Sequence, residues 1–264
     1  MTLEPLKFAK SREVAQCYTP WYIVVYMRTA RFFVSPEWIA LGAQAFSIPA
    51  GPMYRQIVTV LRMKVGDVLS LCPNDGSELD CRITEMTKAA ILGSINGVKT
   101  GKPLRPQVTV CVAVTKRDTF EWVLQKCTEL GASAFIPMIT DRVIKKIKDV
   151  PARWRDIVRE ASEQSGRMTL PTVSEPMSFL EAFEHMKAYD RIVLHESVGE
   201  STDMPKVREM DHIALFIGPE GGFTDSEIEK TKGANTKVVQ LGSLVLRAET
   251  AAVVATAFVR LGRV

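Results

Sequence analysis

An α/β protein with a smaller β-rich unit in front of it is predicted by three observations on this chain of 264 residues. After Gln107, continuous β-branched runs alternate with segments whose apolar residues recur at helical spacing. That pattern implies a parallel sheet with helices on both faces. Before it, residues 28–100 break into short apolar–polar segments separated by turn signals, the pattern of a small barrel. Between the two, Lys99–Pro106 carries Gly101, Pro103 and Pro106 and reads as a linker. The expected organisation is therefore an amino-terminal extension over 1–26, a barrel over 27–100 and an α/β domain over 101–264.

In the extension, Tyr22–Met27 is apolar but short, and Glu4, Lys7, Lys10, Arg12 and Glu13 precede it. This is not the basic start, long apolar middle and small-residue cleavage site of a secretory signal. Either Met27 is the natural start or residues 1–26 are a loosely attached extension. In the barrel, Val68–Cys72 and Leu79–Thr84 flank Pro73-Asn74-Asp75-Gly76-Ser77, whose Asn and Gly tolerate positive φ and predict a hairpin. Ala89–Ile95 is a further strand, and Gln56–Met63 a helical turn.

In the second unit Val108–Val114 predicts a buried parallel strand. Asp118, three residues before Glu121, predicts an N-cap for a helix with Phe120, Val123, Leu124, Cys127 and Leu130 on one face, closed by Gly131. Ala134–Ile139 is the next strand. Pro151 suits the first turn of a helix presenting Trp154, Ile157, Val158 and Ala161. Ser178 with Glu181 caps a third helix. Arg191–Glu196, His212–Ile217 and Val238–Leu241 are three more strands, and Ala248–Leu261 is a final apolar helix.

Composition removes several function classes. Apolar residues make up 46% of the chain and charged residues 24%, which excludes collagen-like and wholly disordered chains. No uncharged apolar stretch approaches the roughly 18–20 residues of a membrane span. The five Cys form no CxxC pair and their number is odd, so a reducing, cytoplasmic setting is expected rather than a disulfide scaffold. With only three His, no metal site is expected. The net charge of +4 is unevenly spread: residues 28–170 carry +7 and residues 171–264 carry −4. Such a split fits either a polyanion partner for the front of the chain or solvated faces of unrelated helices.

Three segments stand out as candidate chemistry. Gly218-Pro219-Glu220-Gly221-Gly222 follows a strand and precedes a helix whose cap is Thr224 with Glu227. It stands at the carboxyl end of a parallel strand, where open α/β sheets bind ligands, yet lacks dinucleotide or P-loop spacing. It is either a ligand loop or a structural turn. Gln240-Leu241-Gly242 repeats the strand-to-glycine pattern and leads through Leu244, Val245 and Leu246 to Arg247. A cation just before a helix is disfavoured by the macrodipole, so Arg247 needs an anionic partner, either a ligand or Glu249. The third segment, Glu163-Gln164-Ser165-Gly166-Arg167 with Pro171 beyond, clusters polar and basic residues at a helix end. Dipole complementarity alone would also place Arg167 there.

Together these segments resemble the RsmE family of SPOUT-superfamily methyltransferases, which methylate N3 of a uridine in small-subunit (16S) ribosomal RNA. The matches are GPEGGFTDSEIE at 218–229, LGSLVLRAETAA at 241–252, EQSGR at 163–167 and KCTELGA at 126–132, with RFFV at 31–34 and VLRMKVGD at 60–67 in the front unit. Two positions depart from the family pattern. Arg55-Gln56 stands where many members carry His, and Ser243-Leu244 replaces a Pro-Arg-like pair.

The resemblance implies a PUA-like barrel followed by an α/β domain with a carboxyl-terminal trefoil knot, and S-adenosylmethionine as cofactor. It assigns Gly218, Glu220, Gly221 and Gly222 to one cofactor loop, Leu241, Gly242, Val245 and Leu246 to a second, and Leu194 and Glu196 to a third. Arg247 would stabilise charge developing on the uracil, with Glu249 orienting it. Gln164 and Arg167 would bind the nucleotide or a flanking phosphate. Arg31, Arg55, Arg62, Lys116, Arg117 and Lys126 would meet further phosphates, and a homodimer is implied. The run Arg142, Lys145, Lys146 and Lys148 is either a further phosphate contact or a solvated loop. Two alternatives are a ribose 2′-O RNA methyltransferase of the same superfamily and a non-catalytic RNA-binding assembly protein.

Overall fold

A computed structural model describes residues 29–40, 42, 44–143, 147, 149–196, 210–233 and 235–262. Residues 1–26, Met27 and Lys145, Lys146 and Lys148 lie outside the described residues.

The front unit is a five-stranded mixed sheet. In it β1 (Ala30–Phe33) pairs in parallel with β3 (Val68–Cys72). Antiparallel pairings then run from β3 through β4 (Ser77–Met86) and β5 (Ala90–Thr100) to β2 (Ala45–Pro49). Among the described residues no pairing joins β1 to β2, so the sheet is a half-barrel. Register shifts between Asp80 and Cys81 and between Ile83 and Glu85 bend β4, because a bulge adds local twist. Gly93 lets the sheet close over its core: a Cβ there would stand 2.3 Å from the Phe46 ring and from the Arg82 carbonyl. That core gathers Phe32, Phe46, Ile48, Leu69, Leu71, Ile83 and Ile91. The predicted helical turn is α1 (Pro52–Arg55) running into a π-helical turn at Gln56–Val60, which seats Ile57 in the same core.

The hairpin forms as its sequence predicts. Asn74 and Gly76 take positive φ, and Asp75 Oδ1 accepts from the Ser77 amide and hydroxyl. β5 runs on to Thr100 rather than stopping at Ile95, because β4 is long enough to pair with it throughout. The connection to the second unit is thereby shorter than expected, spanning 101–106.

The second unit is a parallel sheet in the order β12-β10-β11-β6-β7-β8, with β9 also on β7. Its strands are β6 (Gln107–Ala113), β7 (Ala134–Ile139), β8 (Thr172–Val173), β9 (Met177–Ser178), β10 (Asp190–Leu194), β11 (His212–Ile217) and β12 (Thr236–Val239). Strand alternation sends Val108, Val110, Val112, Ile213 and Leu215 to one face. There they meet α2 (Arg117–Glu129), α3 (Ala152–Ser165) and α6 (Ala248–Leu261). Cys111, Ala214 and Phe216 point to the other face, against α4 (Phe179–His185) and Phe223, which precedes α5 (Asp225–Glu229). Helices cover both faces, as the alternating pattern predicts. Ser178 and Thr224 form the expected capping boxes with Glu181 and Glu227.

Two cap assignments are corrected. Lys116, not Asp118, is the N-cap residue of α2, and it makes no side-chain cap. The helix starts early enough to put Asp118 in its first turn, where its charge complements the dipole. Glu121 is drawn away from the backbone by Arg117 at 2.8 Å and Arg153 at 3.7 Å. Pro151 likewise occupies the N-cap of α3, one residue before its first turn.

The Phe120 and Trp154 rings, 4.2 Å between centroids, join α2 to α3 over the sheet. Truncation there removes a large buried surface and leaves a void. Trp154→Ala is expected to lower unfolding stability by about 3–4 kcal/mol. Urea denaturation checks this as a lower midpoint at an unchanged slope.

Candidate active site

In a parallel sheet every strand ends on the same edge, so the segments after β10, β11 and β12 emerge side by side. β10 lies between β11 and β12, which brings the ends of all three strands onto one cleft of about 230 Å³. Leu194 and Glu196 line it from β10. Gly218, Glu220 and Gly222 line it after β11, and Leu241, Val245, Leu246 and Arg247 after β12. Of the predicted cofactor residues, Gly221 and Gly242 do not line it. Gly221 instead offers its carbonyl to Arg142, and Gly242 supplies the positive φ, +73°, that turns the chain after β12.

The sequence reading missed His195, Gln240, Ala248 and Ala251, which also line the cleft with Leu244. His195 carried a faint signal as one of three histidines at a strand end. Its Nδ1 is buried and, among the described residues, has no hydrogen-bond partner. Leu244 and Val245 are both about three-quarters exposed, which leaves an apolar lip on the cleft.

The glycine loop is braced from β7. Gly222 takes φ +69°, and its N–H donates to the Pro219 carbonyl at 2.8 Å. At Gly218 a Cβ would approach Gly222 and Phe223 to 3.2 Å. The Arg142 guanidinium donates to the Gly221 carbonyl. Glu227 is 4% exposed and accepts from the Thr224 amide at 2.8 Å and the Asp141 amide at 3.1 Å. Arg142 is thus a brace for the loop, a role its place in a basic run did not reveal.

Arg247 is the N-cap residue of α6, with its side chain 85% exposed. Its Nη1 lies 4.0 Å from Glu249 Oε1, a loose pair that leaves the guanidinium able to meet an anionic group at the cleft mouth. The predicted RNA contacts are placed unevenly, and none of them lines the cleft. Arg55 and Arg62 are exposed on the half-barrel, and Lys116 is exposed just past the carboxyl end of β6. Arg117 is exposed but paired with Glu121, and Lys126 pairs with Glu129 at 2.9 Å. Gln164 lines a separate groove between α2 and α3. Arg31 and Arg167 are used inside the protein. Arg31 pairs with Glu78 at 2.8 Å and donates to the Arg167 carbonyl, while Arg167 donates to the Thr128 and Thr169 carbonyls. Burial, with Arg260 nearby, pushes the Arg167 guanidinium down to about 10, so it stays charged at neutral pH.

Other chemistries find little here. Burial raises the thiols of Cys72 to about 11 and of Cys81 and Cys127 to about 12, and raises Cys111 further, so none of these is a ready nucleophile. Among the described residues no group of His, Cys, Asp and Glu could hold a metal ion. No helix among them is long and apolar enough to cross a membrane.

Residues 102–260 match the model of an RNA methyltransferase domain. The Bacillus subtilis ribosomal RNA small subunit methyltransferase E is 33% identical over 223 residues, covering 79% of this chain and 87% of that protein. The chain belongs to the ribosomal RNA small subunit methyltransferase E family. A Neisseria gonorrhoeae member solved with S-adenosylmethionine superposes with a TM-score of 0.77 at 30% identity, covering 87% of this chain and 96% of that one. A Legionella pneumophila chain solved with the same cofactor gives 0.78 at 29% identity, covering 89% and 98%.

The brace on the glycine loop is open to test. Glu227→Ala removes the acceptor of two backbone donors and is expected to cost about 3 kcal/mol of stability. Chemical denaturation of the variant measures it.

Proposed function

We propose that this protein transfers the methyl group of S-adenosylmethionine to N3 of a uridine in small-subunit ribosomal RNA. The observation that carries the reading is the single cleft at the three strand ends, where the segments at 218–229 and 241–252 carried the family resemblance. The residues suit the cofactor. Backbone groups of the two glycine turns fit the hydrogen-bonding edge of an adenine, and Leu241, Val245 and Leu246 fit its faces. His195 lines the same wall. The amino end of α6, with Ala248 and Ala251 on the cleft, suits a carboxylate.

When bound, S-adenosylmethionine supplies a methyl group already activated on a sulfonium. The protein's work is then to place the uracil nitrogen in line with it and to favour loss of the N3 proton. Arg247 faces the charge that develops on a uracil oxygen. Glu249 orients Arg247, since a carboxylate beside a cation is a weak base.

In this reading the half-barrel is the PUA-like RNA-binding unit, with Arg55 and Arg62 toward phosphates and Lys116 and Arg117 extending the basic surface past β6. The chain after β11 crosses β10 to form β12 and returns as α6 against β6 and β11, a path that fits a trefoil knot. Val254, Phe258 and Leu261 leave apolar surface on α6 that fits a homodimer contact. The setting is cytoplasmic, where the RNA is.

The test is methyl transfer to small ribosomal subunits from a strain lacking the gene, followed by nucleoside mass spectrometry. The expected product is 3-methyluridine; a ribose-methylated nucleotide would overturn the assignment. Arg247→Ala is expected to lower kcat by about a hundredfold while cofactor affinity stays within about threefold. Subunit affinity is expected to fall with salt by about one log-log unit per neutralised phosphate, read from binding titrations at several salt concentrations.

A further inference from the structure

The resemblance assigns Gln164 and Arg167 to the nucleotide or a flanking phosphate, and the structure shows that residues 163–170 also contact the half-barrel. Glu163 stands in the last turn of α3, where the helix dipole disfavours an acid. Burial pushes its carboxyl above the ordinary range. An acid kept in such a place needs a partner, and Glu163 Oε1 accepts the Phe33 N–H at 3.1 Å. Val34 gives its own N–H to Cys72 on β3, so strand alternation turns the Phe33 N–H outward from the edge strand β1. Without Glu163 that donor would lose its acceptor.

Three neighbouring contacts tie the same segment to the half-barrel. Gly166 ends α3 with φ +83°, and the turn presents the Arg167 carbonyl to Arg31 Nη1 at 3.1 Å. Arg31 is fixed from behind by Glu78 on β4, and the side chains of the pair are 17% and 8% exposed. Beyond the turn, the Leu170 N–H donates to Asn74 Oδ1 at 2.7 Å, in the β3–β4 hairpin. Between them Met168 lies against Gly101, where a Cβ would stand 2.6 Å from its sulfur.

We propose that residues 163–170 form an interdomain latch, in which Glu163 is a positioning residue that fixes the half-barrel on the α/β unit. The latch rests on the functional reading for its purpose. RNA held by the half-barrel must present one base to a cleft on the other unit, and an orientation set before binding spares the complex the cost of ordering it. Glu163 touches neither the cleft nor its glycine loops, so its effect is on RNA capture and not on the cofactor.

The experiment uses the full chain with spin labels at Lys88→Cys and Lys187→Cys, exposed positions on the two units, and steady-state kinetics on small ribosomal subunits. Glu163→Ala is expected to broaden the label-to-label distance distribution and raise KM for the subunit about tenfold. The kcat and the calorimetric affinity for S-adenosylmethionine are expected to stay within about twofold. Glu163→Gln keeps an acceptor oxygen and is expected to restore wild-type values. Asn74→Gly, which keeps the positive φ of the hairpin and deletes the second acceptor, is expected to act like Glu163→Ala. An unchanged distance distribution and KM in Glu163→Ala and Asn74→Gly would overturn the latch, as would a Glu163→Gln variant as impaired as Glu163→Ala. If the wild-type chain transfers no methyl group while the latch variants still broaden the distribution, the functional reading falls and the latch stands.

Discussion

The parallel hydrogen bonding of β10, β11 and β12 is the constraint on which the site depends. Parallel pairing gives the strands a common direction, so three segments far apart in sequence must leave the sheet on one edge. After β11 and β12 the chain turns where its residues allow. Gly222 and Gly242 supply positive φ, and Arg247 stops the last turn at the start of α6. The cleft follows from strand order before any side chain is considered. What the side chains add is chemistry: an apolar wall from Leu241 and Leu246, a buried imidazole nitrogen at His195, and a loosely paired guanidinium at Arg247.

A glycine loop has little stiffness of its own, and here it is stiffened from a neighbouring strand. Glu227 is buried because it accepts backbone amides from two segments, and that satisfaction offsets the cost of desolvating a carboxylate. Arg142 completes the support from the same loop. At the other junction, Glu163 and Arg31 solve the same problem for the edge of β1. In both places a charged side chain is placed to satisfy main-chain groups, and the fold gains a fixed geometry from it.

Periodicity carried most of the α/β unit. Ala134–Ile139, His212–Ile217 and Ala248–Leu261 fall on the same residues in sequence reading and structure, because each is long, apolar and bounded by clear stop signals. β8 and β9, with two residues each, are too short to show a period and exist only through pairing with β7. Lys116 replaced Asp118 as a cap because Arg117 and Arg153 compete for Glu121, a choice made by tertiary neighbours. In the site, Gly218, Gly222 and Arg247 were legible because their residue types are unusual where they stand. His195 and Arg142 were not, since one is an ordinary strand-end residue and the other one charge in a basic stretch. The resemblance assigns Arg31 and Arg167 to RNA contacts, and neither motif nor charge reveals the buried pair and backbone acceptors that hold them in the structure.

In the proposed function the three strand ends make one cofactor site. The most direct test is a calorimetric titration of S-adenosylmethionine into the wild-type chain and into Ala251→Phe, whose ring would fill the cleft from α6 without disturbing a glycine turn. One saturable site per chain is expected in the wild type, with at least about tenfold weaker binding in a variant that still folds. Equal binding by both proteins, or none by the wild type, would contradict it.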